Sequence, residues 1–346
     1  MEFGMFHEFP SLPGRSDTEA FDEAMAQVDA AERWGLDVLW LGEIHFAPER
    51  THLSAPLAIA SAIAARTERM KIGIAVQVLP LCHPLRLAEE AATVDQISHG
   101  RLVFGVGRSG VVSTYDAYQV PYGESRERLT EVLASVERAW SAPRFSYDGK
   151  YYRFDDVACS PHPYQGKMPP IRIAASTPDT FPSIGGLGYP VFASTRHTSW
   201  TDLKPQVRSY QEGWKAAGRR GHGQVYVSGP IYIAETEAQA RDEARESVEH
   251  FYKLQYELIA ESARRSGRPE FVRRAEHLRT LTYEDVLRDN VIVGTPDSVA
   301  ERLMRLRDEI GFGGILAELN CGGLIPHDRV LNAIRLMCQE VAPRFR

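Results

Sequence analysis

Short apolar runs rich in β-branched and aromatic residues alternate with longer helical patterns along nearly the whole chain. No other feature restricts the fold as much. Glu2–Phe6, Asp37–Leu41, Lys71–Leu79 and Arg101–Val106 read as strands, followed by Ile171–Ala174, Pro190–Ala193, Val225–Ile233 and Gly314–Leu319. Between them, Asp17 to Trp34 places Phe21, Met25, Val28, Ala31 and Trp34 roughly on one helical face. Leu57–Ala65 and Pro84–Ile97 are also helical, with Pro84 suited to a first turn. Helices from Ser125, Thr201, Glu235, Thr295 and Pro326 fill the remaining gaps. Strands that are almost continuously apolar, each followed by a helix, imply a parallel sheet covered on both faces. About eight such units predict an α/β fold, a (β/α)8 TIM barrel, with an open doubly wound sheet as the alternative.

Two stretches break the alternation. Residues 144–163 read as a β-hairpin insertion after the fourth unit, with Asp148–Gly149 as its turn. Residues 262–289 are charged and hold Arg264, Arg265, Arg268, Arg273 and Arg274. They read either as a solvated helical excursion or as a lid over the barrel mouth. One domain spanning residues 1–346 is expected. At 43% hydrophobic and 25% charged, the chain can bury a large core. A net charge of −6 offers no basic face for nucleic acid. No apolar run reaches the length of a membrane span, and Met1–Phe6 lacks the pattern of a signal peptide. The four cysteines are scattered with no CxxC, so neither a disulfide framework nor a metal site is expected, and a reducing cytoplasm fits.

Active sites of such barrels lie at the C-terminal ends of the strands. There the sequence places Glu43, Ile44 and His45 after the second strand and Gln77 near the end of the third. Gly105–Val106–Gly107–Arg108 closes the fourth, and Ser176, Thr177 and Thr180 follow the fifth. Ser194, Thr195, Arg196 and His197 follow the sixth, and Asn320–Cys321 the last. Thr177–Pro178–Asp179–Thr180 opens a helix, where free N–H groups and the dipole attract phosphate and Pro178 suits the first turn. Gly107 permits close backbone approach, and the Arg108 guanidinium suits a phosphate. His45 is the best placed titratable group for moving a proton, and Glu43 for anchoring the rim. His83, in His83–Pro84, fits a structural turn.

Four segments carry a family resemblance. They are Gly35-Leu-Asp-Val-Leu-Trp-Leu-Gly-Glu-Ile-His-Phe46, Leu79-Pro-Leu-Cys-His-Pro84, Asp95-Gln-Ile-Ser-His-Gly-Arg-Leu-Val-Phe-Gly-Val-Gly-Arg108 and Val293-Gly-Thr-Pro296. In this order and at this spacing, the chain resembles the bacterial luciferase-like flavin monooxygenases, from Met1 to the last helix. The resemblance implies reduced FMN and oxygen, a C4a-(hydro)peroxyflavin, and oxygenation of a small organic substrate. It implies that Arg108, Ser176, Thr177 and Thr180 lie at the FMN phosphate, that Ser194 and Gly107 join the cofactor site, and that a non-prolyl cis peptide at Ala75–Val76 lies under the flavin ring. It implies His45 and Glu43 as catalytic candidates. Ile44 stands where the luciferase α chain carries its acid/base histidine, so luminescence is not expected.

No second nucleotide fingerprint occurs; Gly185-Gly-Leu-Gly188 sits late in a helical stretch. Reduced FMN is therefore expected from a separate flavin reductase. A homodimer is expected through the helices bearing Ala58, Ala60, Ala62, Ala64, Ala65, Ala88, Ala91 and Ala92. Two alternatives share the barrel: an oxidoreductase using the deazaflavin F420, and a non-catalytic flavin-binding protein.

Overall fold

The structure is a computed structural model that describes residues 1–10, 12–196 and 198–346. Eight strands form a closed parallel barrel: β1 (Glu2–His7), β2 (Val38–Leu41), β3 (Lys71–Ile74), β4 (Leu102–Gly107), β5 (Ile171–Ala174), β6 (Val191–Ser194), β7 (Val225–Ile233) and β8 (Gly314–Glu318). They lie side by side in chain order. The ring closes where Gly314 of β8 pairs with Tyr226 of β7 on one side and Glu2 of β1 on the other.

The strand residues sort into two layers. Leu39 and Leu41 face the surrounding helices, while Phe6, Val38, Trp40, Val103, Phe192, Tyr226 and Leu316 fill the barrel interior. Trp40 fits there because β1 and β3 present glycines to it. A Cβ on Gly4 would stand 2.4 Å from the indole Nε1, and one on Gly73 would stand 2.1 Å from Cε3. At the N-terminal end of the barrel, the Arg172 guanidinium lies 3.5 Å from the Tyr226 ring centre and pairs with Glu2 at 2.8 Å. That end is thus plugged, and the opposite rim is left for a site.

Three local readings are corrected. The third strand does not run from Lys71 to Leu79. It stops at Ile74, resumes at Gln77–Val78 beside β4, and gives way to a single 3₁₀ turn, Leu79–Leu81. Apolar character continues through the break, so hydrophobic pattern alone cannot reveal it. In the hairpin, Phe145–Asp148 pairs with Arg153–Val157, and Asp148 faces Arg153, so the connection is four residues long, Gly149–Tyr152. The Glu131 carboxylate accepts the N–H groups of Lys150, Tyr151 and Tyr152 at 3.1, 2.9 and 2.7 Å. A side chain from a neighbouring helix thereby satisfies donors that a tight turn would leave to the strands. Finally, the helix after β5 begins at Thr180 with Asp179 as its N-cap, so Pro178 precedes the helix instead of opening it.

Residues 262–289 are helical. They comprise the end of Glu237–Ser266, then Pro269–Thr280 and Tyr283–Asp289, the last started by a capping box between Thr282 and Asp285. A short strand, Ile292–Gly294, then extends the end of β7. Among the described residues no helix is long and apolar enough to cross a membrane, and no group of three His, Cys, Asp or Glu side chains could hold a metal ion.

Candidate active site

A cavity of about 500 Å³ opens at the C-terminal rim. Residues following β1 to β6 line one side, and Leu254–Arg264 together with the Pro269–Thr280 helix line the other. The predicted residues Glu43, His45, Ala75, Val76, Arg108, Ser176 and Thr177 all face it.

Glu43 organises the wall after β2. Its Oε1 lies 2.8 Å from His45 Nε2, and its Oε2 accepts the Gln77 side-chain N–H at 2.6 Å and the Val78 backbone N–H at 2.7 Å. Both side chains of the pair are nearly inaccessible, at 5% for Glu43 and 10% for His45. A carboxylate on Nε2 fixes the proton there and turns Nδ1 into the acceptor. Nδ1 lies 3.4 Å from the Tyr118 hydroxyl. The imidazole is therefore oriented, with one nitrogen held and the other at the cavity edge. Burial pushes the nearby Cys82 thiol up to about 12, with the Glu43 charge adding to it, so Cys82 is not a nucleophile at neutral pH.

The Ala75–Val76 peptide bond is cis. Gly107 stands directly behind it: a Cβ there would come within 2.5 Å of Val76 Cγ2. Gly107 thus lets β4 approach this corner, and its part in the site is to make room.

A cationic corner lies beside it. Arg108 Nη1 donates to Ser125 Oγ at 3.1 Å, its guanidinium rests 5.4 Å from the Tyr122 ring centre, and the Tyr115 hydroxyl donates to its carbonyl. Arg274 Nη2 donates to the Ser176 carbonyl at 2.9 Å. Burial lowers the pKa of Arg274, the direction for a cation short of a counter-charge. Among the described residues neither arginine has a carboxylate within 4 Å. Thr177 Oγ1 is buried beside the Asp179 carboxylate, which it helps to hold below the usual carboxylate range. Asp179 makes no side-chain cap on the Thr180–Leu187 helix, and its carboxylate pairs with Arg126 at 2.6 Å. Two guanidiniums without a carboxylate partner and uncapped helix N–H groups are a donor set that a phosphate satisfies.

The remaining predicted residues sit behind this surface. Thr180 Oγ1 donates to the Thr177 carbonyl at 2.6 Å, bracing the turn. Ser194 Oγ accepts the Arg196 N–H at 3.3 Å. His83 packs edge-on against Tyr152 and Phe154 at 5.5 and 5.8 Å, a structural placement. His197 lies outside the described residues.

One part of the site is represented in the sequence reading by Arg196 alone, as a rim residue without a role. Glu8, after β1, takes a bidentate bond from Arg50 at 2.8 and 2.6 Å. Arg196 reaches both Glu8, at 3.3 Å, and Glu318 at the end of β8, at 3.0 Å. Burial pushes Glu318 up to about 7; Arg196 pulls it back and the Glu8 charge adds to the rise. Arg50 and Arg196 overcome the cost of burying Glu8 and hold it below the usual carboxylate range. Each of these residues looks like an ordinary polar rim position in sequence; only barrel closure brings them together.

Comparison with known proteins places this geometry in context. The family model described as luciferase-like monooxygenase matches residues 1–312. The oxygenase component of a flavin-dependent trigonelline monooxygenase from Acinetobacter baylyi is 23% identical, over 100% of this chain and 96% of that protein. The oxygenating constituent of 3,6-diketocamphane monooxygenase from Pseudomonas putida, solved in complex with FMN, superposes with a TM-score of 0.82 at 22% identity, covering 99% of this chain and 98% of that one. A coenzyme F420-dependent tetrahydromethanopterin reductase from Methanopyrus kandleri shares the fold with a TM-score of 0.72 at 20% identity, covering 100% and 99%.

Proposed function

The chain belongs to the luciferase-like monooxygenase family, and on that premise we propose that it is an FMN-dependent monooxygenase that oxygenates a small organic substrate with O2. The observation that carries this reading is the cationic corner. Among the described residues Arg108 and Arg274 have no carboxylate within 4 Å, and they stand beside the Ala75–Val76 cis peptide. Arg108, Arg274, Ser176 and Thr177 would hold the FMN phosphate, with Thr180 bracing their turn. Ala75 and Val76 would meet the ring, with Gly107 leaving space behind them and Ser194 supporting Arg196 at the cavity wall. When bound, reduced FMN supplies the oxygen-activating chemistry. His45, held by Glu43, gives or takes a proton at Nδ1 at the cavity edge. The helical cover from Leu254 to Phe271 screens the reacting centre from bulk water, with Leu254, Leu258, Ile259 and Phe271 as its apolar part.

We further propose that residues 1–346 form one domain; the contact of the Met1 amino group with the Phe345 carbonyl at 3.3 Å supports this. In this reading the protein works in the cytoplasm as a homodimer, and reduced FMN comes from a separate reductase. The name of the Acinetobacter relative, an oxygenase component, supports a two-component arrangement.

Anaerobic titration with reduced FMN and with reduced F420, followed by oxygen-uptake measurements across a substrate panel, tests the proposal. Micromolar FMN binding and oxygen uptake matched by product support it. Tighter binding of F420, with hydride transfer and no oxygen uptake, replaces it with the F420 reading. FMN binding with oxygen consumed only as peroxide across the panel favours the non-catalytic barrel.

A further inference from the structure

The cavity floor carries a set of charges that the proton chemistry of His45 does not use. Ala75 and Val76 pack against the interior cluster that contains Phe6, and Phe6, Glu8, Arg50 and Arg196 line the cavity with them. The Arg196 guanidinium lies 4.4 Å from the Phe6 ring centre. Its Nη2 is buried between Glu8 Oε1 at 3.3 Å and Glu318 Oε2 at 3.0 Å, and its Nε donates to Glu318 Oε2 at 3.1 Å. Arg50 gives both its bonds to Glu8. Two carboxylates therefore meet one guanidinium, and the second guanidinium serves only Glu8. Glu318 is the less compensated of the two. Burial pushes it up to about 7, while Glu8 stays below the usual carboxylate range. Cys321 and Tyr252, the other titratable groups near Glu318, are pushed up by burial and stay neutral, and burial lowers His7 beside Glu8. Glu8 and Arg50 cancel. With a proton on Glu318, the net charge of the floor is that of Arg196; without it, the net charge is zero. A cavity of about 20 Å³ bordered by Glu8, Glu318 and Asn320 has room for one water, through which that proton exchanges.

We infer that this cluster is the counter-charge of the cofactor ring: Arg196, held on the cavity floor by Glu8 and Glu318, favours reduced flavin over oxidised flavin. Two-electron reduction with uptake of one proton turns a neutral ring into an anion, so only the reduced form gains from a positive floor. The attraction acts through space, because Nη2 is turned to the carboxylates and not to the ligand, and the low dielectric of the buried floor carries it. Glu318 is a positioning residue that acts through Arg196. It holds the guanidinium in place, and its proton decides whether the charge is felt above. The phosphate corner cannot make this distinction, since the phosphate has the same charge in both forms of the cofactor. The inference rests on the FMN reading of the cavity and deepens it, by placing the redox bias of the ring in residues apart from the phosphate corner.

Anaerobic dissociation constants for oxidised FMN and dithionite-reduced FMN, measured on the full-length protein at about pH 5.5 and about pH 8.5, read this bias. At the higher pH, Glu318→Gln leaves Arg196 uncompensated. It is expected to raise the ratio of reduced to oxidised affinity about tenfold over the parent, a rise of ~30 mV in the two-electron potential of the bound flavin. At the lower pH the parent carboxyl holds its proton, and the two proteins should agree within about twofold. Arg196→Met combined with Glu318→Gln leaves Glu8 paired with Arg50 and should return the ratio at the higher pH to that of the parent. Glu318→Met, equally uncharged, serves where the glutamine variant folds poorly. Riboflavin should show the same shifts, because they report on the ring and not on the phosphate. FMN binding with a ratio that ignores Glu318 at the higher pH, or with a rise that survives the loss of Arg196, overturns this inference and leaves the oxygenase reading standing. A parent that binds neither form of FMN overturns both.

Discussion

Arg274 Nη2 donates to the Ser176 carbonyl across 2.9 Å, and the bond ties the Pro269–Thr280 helix to the turn that follows β5. The excursion between β7 and β8 therefore does more than cover the rim. It delivers a guanidinium to the same corner as Arg108, from a segment whose sequence reads only as a charged interruption.

Both arginines are expected to grip the FMN phosphate. Arg108→Ala or Arg274→Ala removes a charge-assisted contact worth roughly 1.5–3 kcal/mol, or about 10- to 150-fold in FMN affinity. Riboflavin, which has no phosphate, should bind both variants and the parent equally. Arg108→Lys should recover only part of the loss, because lysine cannot bond bidentately. Fluorescence titration of each flavin measures this; parallel losses for FMN and riboflavin would show damage to the fold rather than a phosphate contact.

The Glu43–His45 pair separates chemistry from cofactor binding. His45→Ala is expected to lower kcat by about 10²- to 10⁴-fold, the usual range for a lost proton donor or acceptor. Neither Arg108 nor Thr177 touches His45, so FMN affinity should hold. Glu43→Gln leaves the Val78 N–H an acceptor but sets an amide where His45 Nε2 needs a carboxylate, so it should cost activity with little loss of stability. A His45→Ala enzyme with unchanged kcat would reduce the histidine to a rim contact.

The barrel was legible in the sequence because β/α alternation is a local pattern, and Glu43, His45 and Arg108 were legible because each follows an apolar run directly. The Glu8–Arg196–Glu318 cluster was not, because β1 and β8 stand some 310 positions apart and meet only when the ring closes. Gln255, which lines the cavity from the buried face of the Glu237–Ser266 helix, is hidden for another reason. It sits in a 30-residue helix crowded with charge, where one amide on the buried face leaves no periodic mark. The Ala75–Val76 cis bond has no hydrophobic signature either; resemblance alone pointed to it.

The alanine-rich helices support the dimer only in part. Ala60, Ala64, Ala88, Ala91 and Ala92 are buried within the chain, whereas Ala58, Ala62 and Ala65 form an exposed row on the Pro56–Arg66 helix. Small side chains at these three positions allow close helix approach. Light scattering is expected to give twice the chain mass at micromolar concentration, and Ala62→Arg to shift it toward the monomer. A monomeric parent would exclude the dimer.

Glu318 makes stability depend on pH with a definite sign. The residue is 4% exposed, and burial pushes its carboxyl up to about 7, against the ordinary 4.5. The folded state thus holds a proton that the unfolded state has released, and stability falls as pH rises from about 5 to about 7.5, then levels off. His7 works against this below its ordinary 6.5, since burial lowers its pKa and acid favours the unfolded state. Raw stability curves therefore mix the two effects, and the difference between Glu318→Gln and the parent isolates the carboxyl. Glutamine keeps the shape and cannot ionise, so the variant's stability relative to the parent should climb through this window, by on the order of 1–3 kcal/mol. Urea denaturation at pH 5, 6, 7 and 8 measures it. A flat difference would mean that Glu318 ionises as it does in water; a difference falling with pH would mean that the pairing with Arg196 outweighs the cost of burial.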